Sequence, residues 1–210
     1  MLSPIFSQPL NKSNTIEIDL STSSPLLKGL NFNLNGLEDE INAFIDANNV
    51  EFAIGGYLEK RNLYKRFNQF NEDNRDNHLG IDIWSKKQEK LYAPIDAEVV
   101  VSFWHEIPGD YGGVIILKHL HENMTVHSLY GHLDNHSIKE NPLGKKIKQG
   151  EIFARLGEFN ENGNWPIHLH FQLIFKEEIS GNNFPGVCSD DEIEKYKNLC
   201  PNPIEWLIHS

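Results

Sequence analysis

Three short stretches of this chain place histidines and a carboxylate where they could act together on a metal. The first, Asn77-His78-Leu79-Gly80-Ile81-Asp82, sets an imidazole and a carboxylate four residues apart. In a straight strand such positions share a face but lie about 13 Å apart. The ligand atoms of a zinc ion lie roughly 2.0–2.2 Å from the metal. The segment therefore has to bend or turn if both side chains are to meet one ion, and Gly80 is the residue that permits a bend. Alone, the His-x-x-x-Asp spacing is weak, because chance surface matches are common.

The second stretch is Pro166-Ile167-His168-Leu169-His170-Phe171. Strict alternation predicts a strand with His168 and His170 side by side on one face, about 6.6 Å apart along the chain. The opposite face, Ile167, Leu169, Phe171 and Leu173, is apolar and suited to a core. One imidazole of such a pair can bind a metal while its neighbour reaches a water on it; the bland alternative is two solvated histidines. In the third stretch, Leu129-Tyr130-Gly131-His132-Leu133, a strand ends at a glycine and delivers a histidine at its edge. Together the stretches offer two histidines and a carboxylate, with two further imidazoles to spare. That is a common catalytic zinc set, three protein ligands with a position left for water.

The elements that must position these residues are mainly β. From Ile81 onward, short runs rich in Val, Ile, Phe and Tyr at Leu91–Tyr92, Glu98–Phe103, Val114–His119, Met124–Leu129, Glu151–Leu156 and Ile167–Phe175 predict strands. Turn formers separate them, as at Pro108-Gly109-Asp110, Gly112-Gly113 and Asn162-Gly163-Asn164. The expected architecture is a mainly β antiparallel sheet or sandwich with one or two short peripheral helices. Residues 1–50 read as an N-terminal arm, with a strand at Thr15–Leu20 and a helix at Leu37–Asn48. Residues 51–180 read as the catalytic domain. Residues 181–210 read as a helical tail packing on it, with a short acidic helix at Ser189–Asn198 and a last apolar turn at Ile204–Ile208.

Composition narrows the partners. The 19 basic and 30 acidic residues give a formal charge of −11, which argues against nucleic acid and anionic membranes. No apolar run of about 18 residues is present, so no membrane-spanning helix is expected. The N-terminus has neither a basic stretch nor a continuous apolar one, so a cytoplasmic location is the default expectation and export the alternative. Cys188 and Cys200 belong to no CxxC pair and are expected as free thiols, although a bridge would stabilise by about 3 kcal/mol.

Other residues carry weaker signals. His119 and His121 in Lys118-His119-Leu120-His121-Glu122 imitate a metal pair but read as solvated loop residues. His105, His127, His136 and His209 lack partners at ligand spacing and read as structural or surface residues. Trp84, Phe103 and Trp104 suit a core or a groove wall. Tyr57 or Tyr64, ahead of His78, could stabilise an oxyanion or simply pack. Lys145, Lys146 and Lys148 read as a solvated hairpin turn.

In order along the chain, the blocks His78-Leu79-Gly80-Ile81-Asp82-Ile83, Tyr92-Ala93-Pro94-Ile95-Asp96-Ala97-Glu98-Val99-Val100 and Gly112-Gly113-Val114-Ile115-Ile116-Leu117-Lys118-His119 are followed by three more. These are Leu129-Tyr130-Gly131-His132-Leu133, Ile147-Lys148-Gln149-Gly150-Glu151-Ile152 and His168-Leu169-His170-Phe171. This series resembles the lysostaphin/LytM class of zinc metalloendopeptidases, which cut peptide bonds in bacterial peptidoglycan. The resemblance implies a compact antiparallel β structure with a groove across the sheet, Zn²⁺ on His78, Asp82 and His170, His132 and His168 as the catalytic pair, and a peptide or muropeptide as substrate.

The chain departs from the family pattern at Trp165-Pro166-Ile167, where a small residue and Gly-Pro are usual, and at Gln172, where Glu is common. The segments Gly55-Gly56-Tyr57-Leu58-Glu59-Lys60-Arg61 and Phe184-Pro185-Gly186-Val187 are similar to a subgroup of these domains found without export signals, sometimes fused to phosphotransferase and aminotransferase domains. Two rival expectations follow: a zinc hydrolase acting on a different, intracellular amide or peptide, and a non-catalytic regulator of the same fold.

Overall fold

Leu37, Ile41 and Ile45 recur every fourth residue and all three are buried. They form the inner stripe of a 14-residue helix, α1 (Leu34–Ala47). Asn49, at φ 52°, turns the chain out of it. The stripe shares one buried cluster with Ala53, Trp84 and Trp165, and the helix packs against the strand Phe52–Gly55. The computed structural model describes residues 2–28, 34–71, 73–179, 181–182 and 184–208, and His209 lies outside them.

The sheet is built from β1 (Thr15–Glu17), β2 (Phe52–Gly55), β4 (Ile81–Ser85), β6 (Ala97–Trp104), β7 (Gly113–His121), β8 (Met124–Leu133), β9 (Lys146–Ile147) and β11 (His168–Ile174). Their spatial order is β1-β2-β4-β11-β8-β7-β6-β9. Every pairing is antiparallel except that of β1 with β2, so the sheet is mixed. Two small ribbons accompany it. One pairs β5 (Lys90–Tyr92) with β10 (Ile152–Arg155), the other β3 (Asn77–His78) with β12 (Val187–Cys188). Short helices α2 (Asn68–Asn71), α3 (Asn135–Glu140), α4 (Ile193–Leu199) and α5 (Ile204–Leu207) lie at the margins.

The mainly β expectation stands, with more short helices than the one or two anticipated. Two strands that carry or flank the site, β2 and β4, were not delimited in the sequence. Both are buried along their whole length, so neither shows the alternation that marks a half-exposed strand. The apolar face of β11 does enter the core: Leu169, Phe171 and Leu173 pack with Ile81, Ile83 and Tyr130. Complete burial of such side chains is worth roughly 1.5–3 kcal/mol each. The same cluster takes in Ile5, Phe6 and Leu10 from the N-terminal segment and Trp206 and Leu207 from the C-terminal one. Cys188 and Cys200 are both free and buried.

Candidate metal centre

Sheet register brings the centre together. Asp82 on β4 lies directly opposite His170 on β11, and Gly131 on β8 faces His170 from the other side. Gly131 leaves room for the ring of Tyr111, since a Cβ there would stand 2.5 Å from Tyr111 Cδ1. His78 arrives from β3, and the chain turns at Leu79-Gly80 into β4. The expected bend is therefore present, but glycine serves it by its small size. A Cβ at Gly80 would lie 2.6 Å from the Phe171 carbonyl oxygen and 2.9 Å from the His170 ring.

One ligand atom each from His78, Asp82 and His170 lies within 4.8 Å of the others, and all three residues are buried. Hydrogen bonding assigns the protons. His78 Nδ1 lies 3.0 Å from the Gly56 carbonyl oxygen, which can only accept, so Nδ1 carries the hydrogen and Nε2 a lone pair. Gln172 directs its amide nitrogen to the Pro185 carbonyl and the Cys200 sulfur, leaving Oε1 to accept from His170 Nε2 at 3.0 Å. His170 Nδ1 is thus also a lone pair.

These two bare nitrogens face each other at 2.8 Å. Asp82 Oδ1 lies 3.2 Å from the first and 3.3 Å from the second. It has no hydrogen-bond partner among the described residues. Three lone-pair donors converge with no proton to share, an arrangement that repels itself unless a cation sits among them. The donor set, two imidazoles and a carboxylate, suits zinc.

Electrostatics keep the set in its binding-ready form. Burial, then the nearby Arg61 guanidinium, hold the His78 imidazole down to about 4, so it is neutral near pH 7. Burial alone would raise the Asp82 carboxyl, but His78, Arg61 and His168 outweigh it and hold it well below the usual carboxylate range. Arg61 Nη1 donates to Asp82 Oδ2 at 2.5 Å.

His132 and His168 stand beside these donors, their rings 4.1 Å apart. His132 sits at φ 64°, a left-handed backbone uncommon for a side-chain-bearing residue. Its Nδ1 donates to the Asn162 carbonyl at 2.8 Å. His168 Nδ1 donates to the Pro166 carbonyl at 2.7 Å, and its ring stacks on Trp84 at 3.9 Å. Each therefore keeps Nε2 as a proton acceptor. Burial pushes His168 down to about 4 and, with His168 and His170 adding to it, holds His132 well below its ordinary value.

All five histidine and aspartate positions line one cavity of about 170 Å³. Trp165 and Tyr64 also line it, their rings 6.1 Å apart, and Phe67 packs against Trp165 at 5.3 Å.

Of the two tyrosines considered, Tyr64 lines the cavity, whereas the Tyr57 hydroxyl donates to the Cys200 carbonyl at 2.6 Å. Sequence reasoning passed over Arg61, Tyr111 and Asn162 as site residues. Asn162 left a signal in its Asn-Gly-Asn turn, and Arg61 one in the Gly55–Arg61 segment that resembles a subgroup of these domains; Tyr111 left none. The solvated-loop expectation for His119 is corrected: it is buried on β7, within hydrogen-bond reach of the Ser128 hydroxyl and the Asp96 carbonyl. Its environment became polar only when β7 paired with β8. His121 is half-buried and its ring lies 5.4 Å from that of Trp206. Lys146 and Lys148 form ion pairs with Glu98 and Asp96 at the surface.

Residues 76–181, half of the chain, match the profile of peptidase family M23. This chain belongs to peptidase family M23. Membership supports a peptidase, and the family's members are zinc metallopeptidases. Among solved structures, the catalytic domain of lysostaphin from Staphylococcus simulans is 19% identical, over 63% of this chain and 80% of that one, with a TM-score of 0.43. LytU is 25% identical over 64% of this chain and 81% of its own, with a TM-score of 0.38. The catalytic domain of EnpA, a prophage-encoded M23 protein from Enterococcus faecalis, is 20% identical over 55% and 78%, with a TM-score of 0.38. A search of curated proteins finds no match.

Proposed function

We propose that this M23 chain is a zinc-dependent metalloendopeptidase acting on peptidoglycan-type peptides, with His78, Asp82 and His170 as ligands and His132 and His168 as proton carriers. The observation that carries this reading is the proton inventory. Both ligand rings spend their N–H outward on carbonyl acceptors, and their lone pairs meet an Asp82 oxygen that nothing else satisfies. When bound, zinc supplies Lewis acidity, which activates a water and polarises a carbonyl.

The chain's own residues do the rest. His132 and His168 are neutral because they are buried, and each is oriented by a carbonyl on its Nδ1–H. Each can take a proton on Nε2 and return it to a leaving amine. Steps of this kind are worth about 10²–10⁴-fold each. The Tyr64 and Trp165 rings lining the cavity favour short, narrow peptides over a cross-linked polymer.

The test has two parts. Elemental analysis of protein offered zinc is expected to give about one ion per chain. Incubation with muropeptides, Gly-rich peptides, other amides and intact sacculi, read by mass spectrometry, is expected to show cleavage of the short peptides. No bound zinc sinks the enzyme reading. Bound zinc with cleavage only of another amide moves the substrate class, and bound zinc with no cleavage of anything favours a regulator.

A further inference from the structure

The segment Gly55-Gly56-Tyr57-Leu58-Glu59-Lys60-Arg61 lies outside the matched residues 76–181, and the reaction as derived above uses none of its side chains. Yet it touches two of the three ligands. The Gly56 carbonyl holds the His78 ring, and the Arg61 guanidinium holds Asp82. Glu59 anchors that arginine in turn, accepting from Arg61 Nε at 2.5 Å through Oε2 and from the Leu20 amide at 3.0 Å through Oε1. Gly56, at φ 147°, is what lets the turn close. A Cβ there would lie 2.2 Å from Glu59 Oε2.

We propose that this turn is the outer support of the metal centre, and that Arg61 is a positioning residue which commits Asp82 to a metal through Oδ1 alone. The inference rests on the zinc reading above. A planar arginine fork can grip both carboxylate oxygens at once, but Arg61 spends its Nε on Glu59. Here Nη1 takes Oδ2 only, and Oδ1 is left without a hydrogen bond, facing the two bare nitrogens. With Oδ2 released, the carboxylate is free to turn both oxygens toward a metal and to fill the position that water or substrate needs.

The experiment uses the full chain loaded with Co²⁺ in place of zinc, because four-coordinate Co²⁺ absorbs visible light much more strongly than five- or six-coordinate Co²⁺. Wild type is compared with Arg61→Lys, Arg61→Gln and Glu59→Gln for metal per chain, visible spectrum and kcat of the zinc form. The two Arg61 variants are expected to keep the metal, weaken the visible band and lose about 10–100-fold in kcat. Glu59→Gln, which only loosens the arginine, is expected to shift the band in the same direction by less, and it carries the test if Arg61→Gln does not fold. An unchanged band in Arg61→Lys and Glu59→Gln, with wild type showing the strong band, overturns the proposal and leaves the zinc reading intact. A wild type that takes up neither metal overturns both.

Discussion

His119 on β7 and His78 on β3 are both buried imidazoles, and by burial alone they look alike. His119 is 2% exposed and pushed down to about 4, chiefly by burial. His78 is 1% exposed and also pushed down to about 4. The difference lies in how the protons are spent. His119 Nδ1 lies 3.2 Å from the Asp96 carbonyl and Nε2 2.6 Å from the Ser128 hydroxyl, so both nitrogens are satisfied by the protein. At the candidate metal centre two ring nitrogens and a carboxylate oxygen have only one another among the described residues, and all three are acceptors. A depressed imidazole therefore does not mark a site by itself. Several buried acceptors converging on one point do, because each is costly to leave unsatisfied and a single cation can satisfy all of them together.

The sharpest way to break this comparison is to replace residues at each of the two places. His78→Ala, Asp82→Ala and His170→Ala are each expected to lose zinc and hydrolysis together, whereas His119→Gln keeps both; metal analysis and peptide cleavage read the result. Zinc retained at full occupancy by any of the three ligand variants would undo the assignment.

Next in size come the spare imidazoles. His132→Ala and His168→Ala are expected to hold about one zinc per chain yet lose roughly 10²–10⁴-fold in kcat. If His168→Ala releases metal as readily as His170→Ala, the HxH roles are reversed.

A smaller effect is expected at the satisfied imidazole. His119→Phe should take from the Ser128 hydroxyl one of its two partners, Tyr130 being the other, and from the Asp96 carbonyl its imidazole donor, lowering folding stability by about 1–3 kcal/mol without touching activity. Denaturant unfolding followed beside the peptide assay measures both, and loss of activity in a fully folded variant would contradict the division drawn here.

The same residue also predicts a slope. His119 takes up its proton near 6.5 in the unfolded chain but only near about 4 in the folded protein. Its neutral burial therefore does no harm above that window. As pH falls from 6.5 toward 4 the unfolded state gains the proton first, and stability drops by about 1.4 kcal/mol per pH unit from this group. His119→Phe should remove that contribution, and an unchanged acid limb would show that His119 charges freely in the folded state.

The groove wall offers a test of specificity that leaves both histidines intact. Trp165→Gly should retain zinc and widen the range of peptides cleaved, as judged by the same mass-spectrometric panel. A substrate range identical to that of wild type would mean that Trp165 supports the fold and does not shape the groove.

Much of the centre was legible because its chemistry follows local spacing. Alternation along Ile167–Ile174 put His168 and His170 on one face of a strand whose other face had to enter a core, and β11 does this. The separation of His78 from Asp82 demanded a bend, and the chain turns between them at Leu79-Gly80. What the sequence could not contain is what depends on register across strands. Asp82 meets His170 because β4 pairs with β11 at that residue and no other. Arg61 reaches Asp82 across 21 positions of chain, and Gln172 is oriented by Cys200 from 28 positions away. His119 and His78 are both histidines beside polar neighbours in the sequence. Only the tertiary structure decided that one ring would have both nitrogens satisfied and the other would be left facing bare acceptors. Hydrogen bonds between distant segments set where each proton goes, and they exist only once the strands have paired.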